Sequence, residues 1–314
     1  MKIPIIFLFL VLIASIRGEE TFGYISNSTV NIGDDIQTIA AKRFLPDNAV
    51  AVDREFVSTF THDSKVKTLI SGWFMHRKGG GYWDLPIPPP EKSWPPASIL
   101  DPFFISVHFT GSLFPTLFSD ENIEYLKAHS PIGARDLSTL ESLQQRGIPS
   151  YFSGCLTLTL ENHCKERNEI IYLVDLDEKT VAYIQSRVLS PTIVLSHGKP
   201  VLQMLSPEHR LKYAEYILDL YRKAKCVVTT RLHAAMPCLA FETPVLLLDC
   251  VDPGCIDLRF TGLLELLWHS SRKELREGKI CYDFDNPPAN PRAYLPIREQ
   301  LIKTVTEWVK KTSS

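Results

Sequence analysis

The chain has 314 residues, enough for one large or two medium domains. Charged residues make up 22% and hydrophobic ones 45%, and 34 basic against 36 acidic side chains leave a net charge of −2. That balance is ordinary for a globular protein. With no basic block along the sequence, nucleic-acid binding has no electrostatic support.

In chain order, Met1-Lys2 precede an apolar run over residues 3–14 and a small residue, Gly18. One positive residue, a short apolar core and a small residue at a cleavage point form the pattern of a secretory signal peptide. The run falls short of the roughly 20 apolar residues a spanning helix needs, and no later segment is long enough. The expectation is a signal over residues 1–18, no stable membrane span, and passage to the secretory lumen (endoplasmic reticulum or Golgi) or secretion.

A strand over 22–25 leads through Asn27-Ser-Thr-Val-Asn-Ile-Gly33 into a helix over 34–45, where Ile36, Ile39, Ala40 and Phe44 recur at helical spacing. Asp34 and Asp35 suit its first turn. Strands follow at 50–52, 66–70 and 103–109. Residues 77–96 hold three consecutive glycines and six prolines, which no regular element survives. They read as a lid or an insertion, and they lack the spacing of a phosphate loop. A helix over 121–128 sits behind Ser-Asp, a strand covers 132–135, and Asp136 or Ser138 caps a helix ending at Arg146-Gly147.

The alternation restarts with strands at 170–174 and 193–195. Ser206-Pro207 opens a helix carrying Leu211, Ala214, Leu218 and Tyr221. Then come a strand at Val227, a turn and helix over 231–241, a strand over 245–248, and helices over 259–267 and 297–309. Such alternation predicts α/β architecture with parallel sheets and helices on both faces. The most polar stretch, 160–168, separates an N-terminal Rossmann-like domain (19–163) from a C-terminal one (164–314), both doubly wound and facing a cleft. The last helix is free to pack back on the first domain.

The seven cysteines are Cys155, Cys164, Cys226, Cys238, Cys250, Cys255 and Cys281. Cys226 and Cys238 read as small buried hydrophobes. Cys155–Cys164 or Cys250–Cys255 can bridge in an oxidising lumen, and the odd count leaves a free thiol.

The most informative stretch is Thr229-Thr-Arg-Leu-His-Ala234. A strand ends, Arg231 and His233 follow, and a helix begins. A fixed cation and a titratable imidazole beside free N–H groups suit an anionic ligand and proton transfer. Against this stands a core role for both. Asn31, Gly33, Asp34 and Gln37 lie at another strand-to-helix turn. There Gly33 permits close backbone approach, and Asp34 or Gln37 takes a sugar hydroxyl, or Asp34 caps the helix. His108 and His197 each end a strand and line the cleft or serve the core. Asp175-Leu-Asp177 resembles a metal-binding Asp-x-Asp but fits a helix cap better, so no metal is assigned. Asn27-Ser-Thr29 is an N-glycosylation sequon four residues before Asn31. Either it is unused or the Asn31 turn is not the sugar site.

Four ordered stretches resemble the polysaccharide pyruvyl transferase family: Asn31-Ile-Gly-Asp-Asp-Ile-Gln37, Pro131-Ile-Gly-Ala-Arg-Asp136, Gly147-Ile-Pro-Ser-Tyr-Phe-Ser-Gly-Cys-Leu156 and Thr229-Thr-Arg-Leu-His-Ala234. A weaker match is Asp257-Leu-Arg-Phe-Thr-Gly-Leu263. The resemblance implies a glycosyltransferase-B-like fold. It also implies transfer of a pyruvyl group from phosphoenolpyruvate to a hydroxyl pair of a glycan as a cyclic ketal. The partners are then a carbohydrate acceptor and that donor, with no separate cofactor. A donor with a phosphate and a carboxylate calls for paired cations, Arg231 and Arg135, and His233 for the proton. The alternatives are a nucleotide-sugar-dependent glycosyltransferase on the same fold and a non-catalytic glycan-binding descendant.

Overall fold

Two parallel sheets frame the chain in the computed structural model, which describes residues 20–74, 90, 92–110, 117–164, 166–249 and 258–312. The expected signal peptide, most of the glycine- and proline-rich stretch, Cys250 and Cys255 lie outside the described residues.

The first sheet contains β1 (Thr21–Ser26), β2 (Val50–Asp53), β3 (Val66–Phe74), β4 (Leu100–Phe109), β5 (Ile132–Ala134) and β6 (Ser150–Phe152), in the order β2-β1-β3-β4-β5-β6. The second contains β7 (Ile171–Val174), β8 (Thr192–Leu195), β9 (Cys226–Thr229), β10 (Val245–Leu248) and β11 (Trp268–Ser270), in the order β8-β7-β9-β10-β11. All pairings within these sheets are parallel. Each sheet therefore repeats the doubly wound 2-1-3-4-5 order. Its direction reverses between β1 and β3 in the first sheet and between β7 and β9 in the second. Ligands of such sheets bind beyond the strands' carboxyl ends at that reversal.

Eight α-helices are present among the described residues. Helix α1 (Ile32–Lys42) begins two residues earlier than its apolar spacing predicts, because the Asn31 side chain caps it by accepting from the Gly33 N–H. The other long helices match their sequence signals. They are α2 (Asp120–Ala128), α3 (Leu137–Gln144, capped by Asp136), α5 (Pro207–Lys223, capped by Ser206), α6 (Leu232–Ala240) and α8 (Leu295–Thr312). Helix α4 (Glu178–Gln185) starts where the Asp175-Leu-Asp177 cap sets it, whereas the short helix α7 (Arg272–Arg276) and the strands β6 and β11 were not foreseen. The helix expected over 259–267 is absent. Two 3-10 turns, Leu258–Phe260 and Leu264–Leu266, replace it. Gly262 between them has φ +78°, which no helix accommodates.

One face of each sheet has its own core. Leu126 of α2 and Leu143 of α3 cover the first, and Ile184 of α4 and Leu275 of α7 cover the second. The other two faces share a single core. It runs from Phe22, Tyr24 and Leu69 through Ile36, Leu156 and Leu158 to Leu218, Met236, Val227 and Leu247. Helix α8 closes it from the C-terminus: Trp308 stacks on Phe103 at 4.8 Å and meets Phe22 edge-on at 5.7 Å.

Polar contacts reinforce this union. Arg210 of α5 grips the Asp35 carboxylate of α1 with two hydrogen bonds, 3.1 and 2.6 Å, and also donates to the carbonyls of Thr29 and Leu202. The loops after β1 and β8 are stitched together by Ile32 N–H to His197 O and Lys199 N–H to Val30 O, both 2.9 Å. The sequon faces inward. Asn27 is buried and its Nδ2 donates to Thr38 Oγ1, so the folded chain has no room for a glycan there. Cys155 and Cys164 are both free, with Cys155 buried, so the expected bridge between them is not made.

Candidate active site

The carboxyl ends of the two sheets border one cavity. Of the residues singled out from sequence, Asn31, Gly33, Asp34, Arg135, His197, Arg231 and His233 line it. Gln37 and His108 do not. Gln37 is buried one helical turn behind Gly33. His108 lies in a layer behind the wall, its Nδ1 2.7 Å from Asp136 Oδ2 and its ring edge-on to Trp73.

Arg231 ends the loop after β9 and caps α6. Its Nε donates to Asp175 Oδ2 at 2.7 Å, while its side chain stays 42% exposed. Asp175 also accepts from Ser196 Oγ and from the His197 N–H. These donors and the Arg231 charge outweigh burial and hold its carboxyl below the usual range. The cap expected of Asp175-Leu-Asp177 is supplied by Asp177, at the start of α4, which leaves Asp175 to hold Arg231. The residues that start α6, Arg231, Leu232 and His233, line the cavity, and the first N–H groups of a helix have no preceding helical carbonyl.

Arg135 follows β5 in the first sheet and is almost wholly buried. Its Nε makes no hydrogen bond, and Asp136 Oδ2 lies 3.6 Å away. His233 Nε2 and His197 Nδ1 are likewise buried without a partner, although His197 Nε2 is fixed by the Tyr221 hydroxyl at 2.6 Å. A buried donor or acceptor left unpaired costs about 1–3 kcal/mol. All three nitrogens belong to residues that line the cavity.

Burial pushes the His233 imidazole well below its ordinary range, and the charges of Arg135, His197, Arg259 and Arg54 push the same way. Burial likewise takes His197 down to about 4, with Asp175 opposing and Arg231 adding. Both rings are neutral at pH 7.

Two expectations change meaning here. Gly33 does allow a close approach, but the approaching groups belong to the protein: an added Cβ would meet His197 Nδ1 and His233 Cβ, each at 3.2 Å. Asp34 is committed to Thr29 Oγ1, Asn31 Nδ2 and buried Arg54. It braces the turn, with little accepting capacity left for a sugar hydroxyl.

The cavity also contains residues the sequence reading passed over: Trp73 at the end of β3, Thr230, Phe260 and Arg259. The guanidinium of Arg259 lies 4.7 Å from the Trp73 ring centre. Its signal was present in the weaker family match Asp257-Leu-Arg-Phe-Thr-Gly-Leu263, most of which falls in the helix expected over 259–267. Among the described residues no cluster of three His, Cys, Asp or Glu side chains is arranged to hold a metal, and no helix is long and apolar enough to cross a membrane.

A family model described as polysaccharide pyruvyl transferase matches residues 31–253, most of the chain. The chain belongs to that family. It is accordingly a transferase enzyme, and the matched span includes Asn31, Arg135, His197, Arg231 and His233. No curated protein matches the chain.

Proposed function

We propose that this transferase binds phosphoenolpyruvate in the cleft and passes its pyruvyl group to two hydroxyls of a glycan, releasing inorganic phosphate and leaving a cyclic ketal. The observation that carries the reading is the convergence of Arg135 and Arg231, from opposite sheets, on the cavity wall that holds the unpartnered Nε2 of His233. A donor with two anionic ends suits two guanidinium forks. The N-terminus of α6 beside Arg231 favours the phosphate end.

The chemistry follows from the imidazole's setting. His233 is neutral in the free protein because burial and surrounding cations disfavour its charge. A bound anionic donor offsets those cations and raises the ring's affinity for a proton. The imidazolium then protonates the methylene carbon, C3, which makes C2 electrophilic. The first sugar hydroxyl adds to C2, and the now neutral ring takes its proton. The C2–O bond to phosphate breaks with its electron pair going to phosphate. The second hydroxyl adds to C2 and loses its proton to the departing phosphate or to water. Two C2–O bonds form, one breaks, and C3 becomes a methyl group.

Calorimetric titration with phosphoenolpyruvate and with nucleotide sugars tests the donor, with binding expected for the first alone. His233→Gln should cut turnover roughly 10²–10⁴-fold while donor affinity changes little, because both arginines remain. Binding of a nucleotide sugar in place of phosphoenolpyruvate sinks the donor assignment. Near-normal turnover by His233→Gln sinks the proton-transfer role.

A further inference from the structure

We propose that Arg259 is a third anion-binding cation of the cleft, delivered by a strap over residues 258–262 that belongs to the second sheet's half of the chain but is fastened to the first. The inference rests on the donor reading above and adds a residue that holds the donor.

The strap leads into β11, yet its fastenings are on α3, the helix that begins two residues after Arg135. The Leu137 N–H donates to Thr261 O and the Ser138 N–H to Thr261 Oγ1, both at 3.0 Å. Ser138 Oγ donates back to the Leu258 carbonyl at 3.1 Å. The first two donors of α3 are thus occupied by the strap, and the third, Thr139 N–H, by Asp136 Oδ1. Gly262 allows this seat twice over: its φ is +78°, and an added Cβ would lie 2.7 Å from Leu137 Cγ. This clamp fixes the position of Arg259 relative to Arg135.

Arg259 stands on the cavity wall with its guanidinium carbon 4.7 Å from the centre of Trp73 and 5.7 Å from that of Phe260. Stacking engages the face of a guanidinium, whereas anion recognition uses its in-plane N–H edge. The two contacts are compatible at one residue. The charge of Arg259 also reaches across the cavity, opposing the protonated forms of Arg135, His108 and His233. On this cavity the charges of Arg259 and Arg135 oppose one another, while Arg231 is held by Asp175. A ligand with both a phosphate and a carboxylate supplies the charge that offsets them, which a neutral sugar cannot.

Calorimetry with phosphoenolpyruvate on wild type, Arg259→Gln and Arg259→Lys tests the assignment, with thermal melting alongside. Losing a charge-assisted contact should weaken donor binding about ten- to hundredfold in Arg259→Gln. Arg259→Lys should recover part of that loss. The acceptor KM and the melting temperature should stay close to wild type. Trp73→Leu should weaken the donor too, and its effect should not add fully to that of Arg259→Gln, since both act through one guanidinium. Unchanged donor affinity in Arg259→Gln overturns the proposal while leaving the donor reading intact, as does a rise in acceptor KM alone. If wild type binds a nucleotide sugar instead and Arg259→Gln weakens that ligand, the donor reading falls and the third-cation assignment stands.

Discussion

Arg210→Ala is the most severe single change the interface between the two sheets should feel. It removes two hydrogen bonds to Asp35, at 3.1 and 2.6 Å, and two to the carbonyls of Thr29 and Leu202, at 2.7 and 2.8 Å. Both partners of the ion pair are nearly inaccessible, with side chains 2% and 4% exposed. Breaking a buried pair from one side strands the other charge and costs about 3–5 kcal/mol, against a total stability of roughly 5–15 kcal/mol. The pH dependence is specific. Burial already pushes Asp35 from 3.8 up to about 6, against the opposing pull of Arg210. Removing Arg210 pushes it higher. A carboxyl raised in the folded state contributes stability that is fully present below its unfolded value and lost as pH rises through the folded one. The variant's deficit should therefore be smallest near pH 5, where Asp35 takes up a proton, and largest near pH 8. Urea denaturation at both values, compared with wild type at constant slope, measures it. Asp35→Asn in the Arg210→Ala background should recover much of the loss at pH 8. A deficit below about 1 kcal/mol, or one equal at both pH values, would refute the reasoning.

Asp175→Asn keeps a side chain that tolerates the φ of +54° but gives up the charge that holds Arg231 Nε. Donor KM should rise roughly tenfold with a smaller change in kcat, and steady-state kinetics would expose an unaltered KM as a contradiction. Gly262→Ala combines a disfavoured φ with a contact of 2.7 Å on Leu137. A stability loss of about 1–3 kcal/mol is expected in thermal melts, and Leu137→Ala should relieve only the steric part. Full relief would mean that backbone conformation is not at issue.

Most of the frame could be read from local signals. The apolar runs at 22–25, 66–70 and 245–248 are strands, and the Ser206-Pro207 start of α5 and the Arg231-x-His233 turn fall where their patterns set them. Local signals fail where a partner is remote. Gly33 announces a close approach, but only the fold reveals that His197 and His233 are what approaches. Asp35 looks like a helix-dipole residue until Arg210 arrives from 175 positions away. His108 and His197 look like comparable strand ends, yet His108 lies within β4, held by Asp136, while His197 sits in the loop after β8 and lines the cavity. The 259–267 helix failed because the strap's docking on Leu137 and Ser138 overrode an ordinary helical spacing.

The single core beneath both sheets has a consequence for how this enzyme stores free energy. In a two-lobed protein joined by a hinge, like charges on facing lobes relax by swinging apart until a ligand draws them together. Here the lobes are fused through Ile36, Leu158, Leu218 and Met236, so Arg259, whose charge opposes that of Arg135, is held against it by folding itself. Their repulsion is carried as tension in the resting protein. An arriving anion has no closure to drive, and the relief of that tension goes directly into its binding.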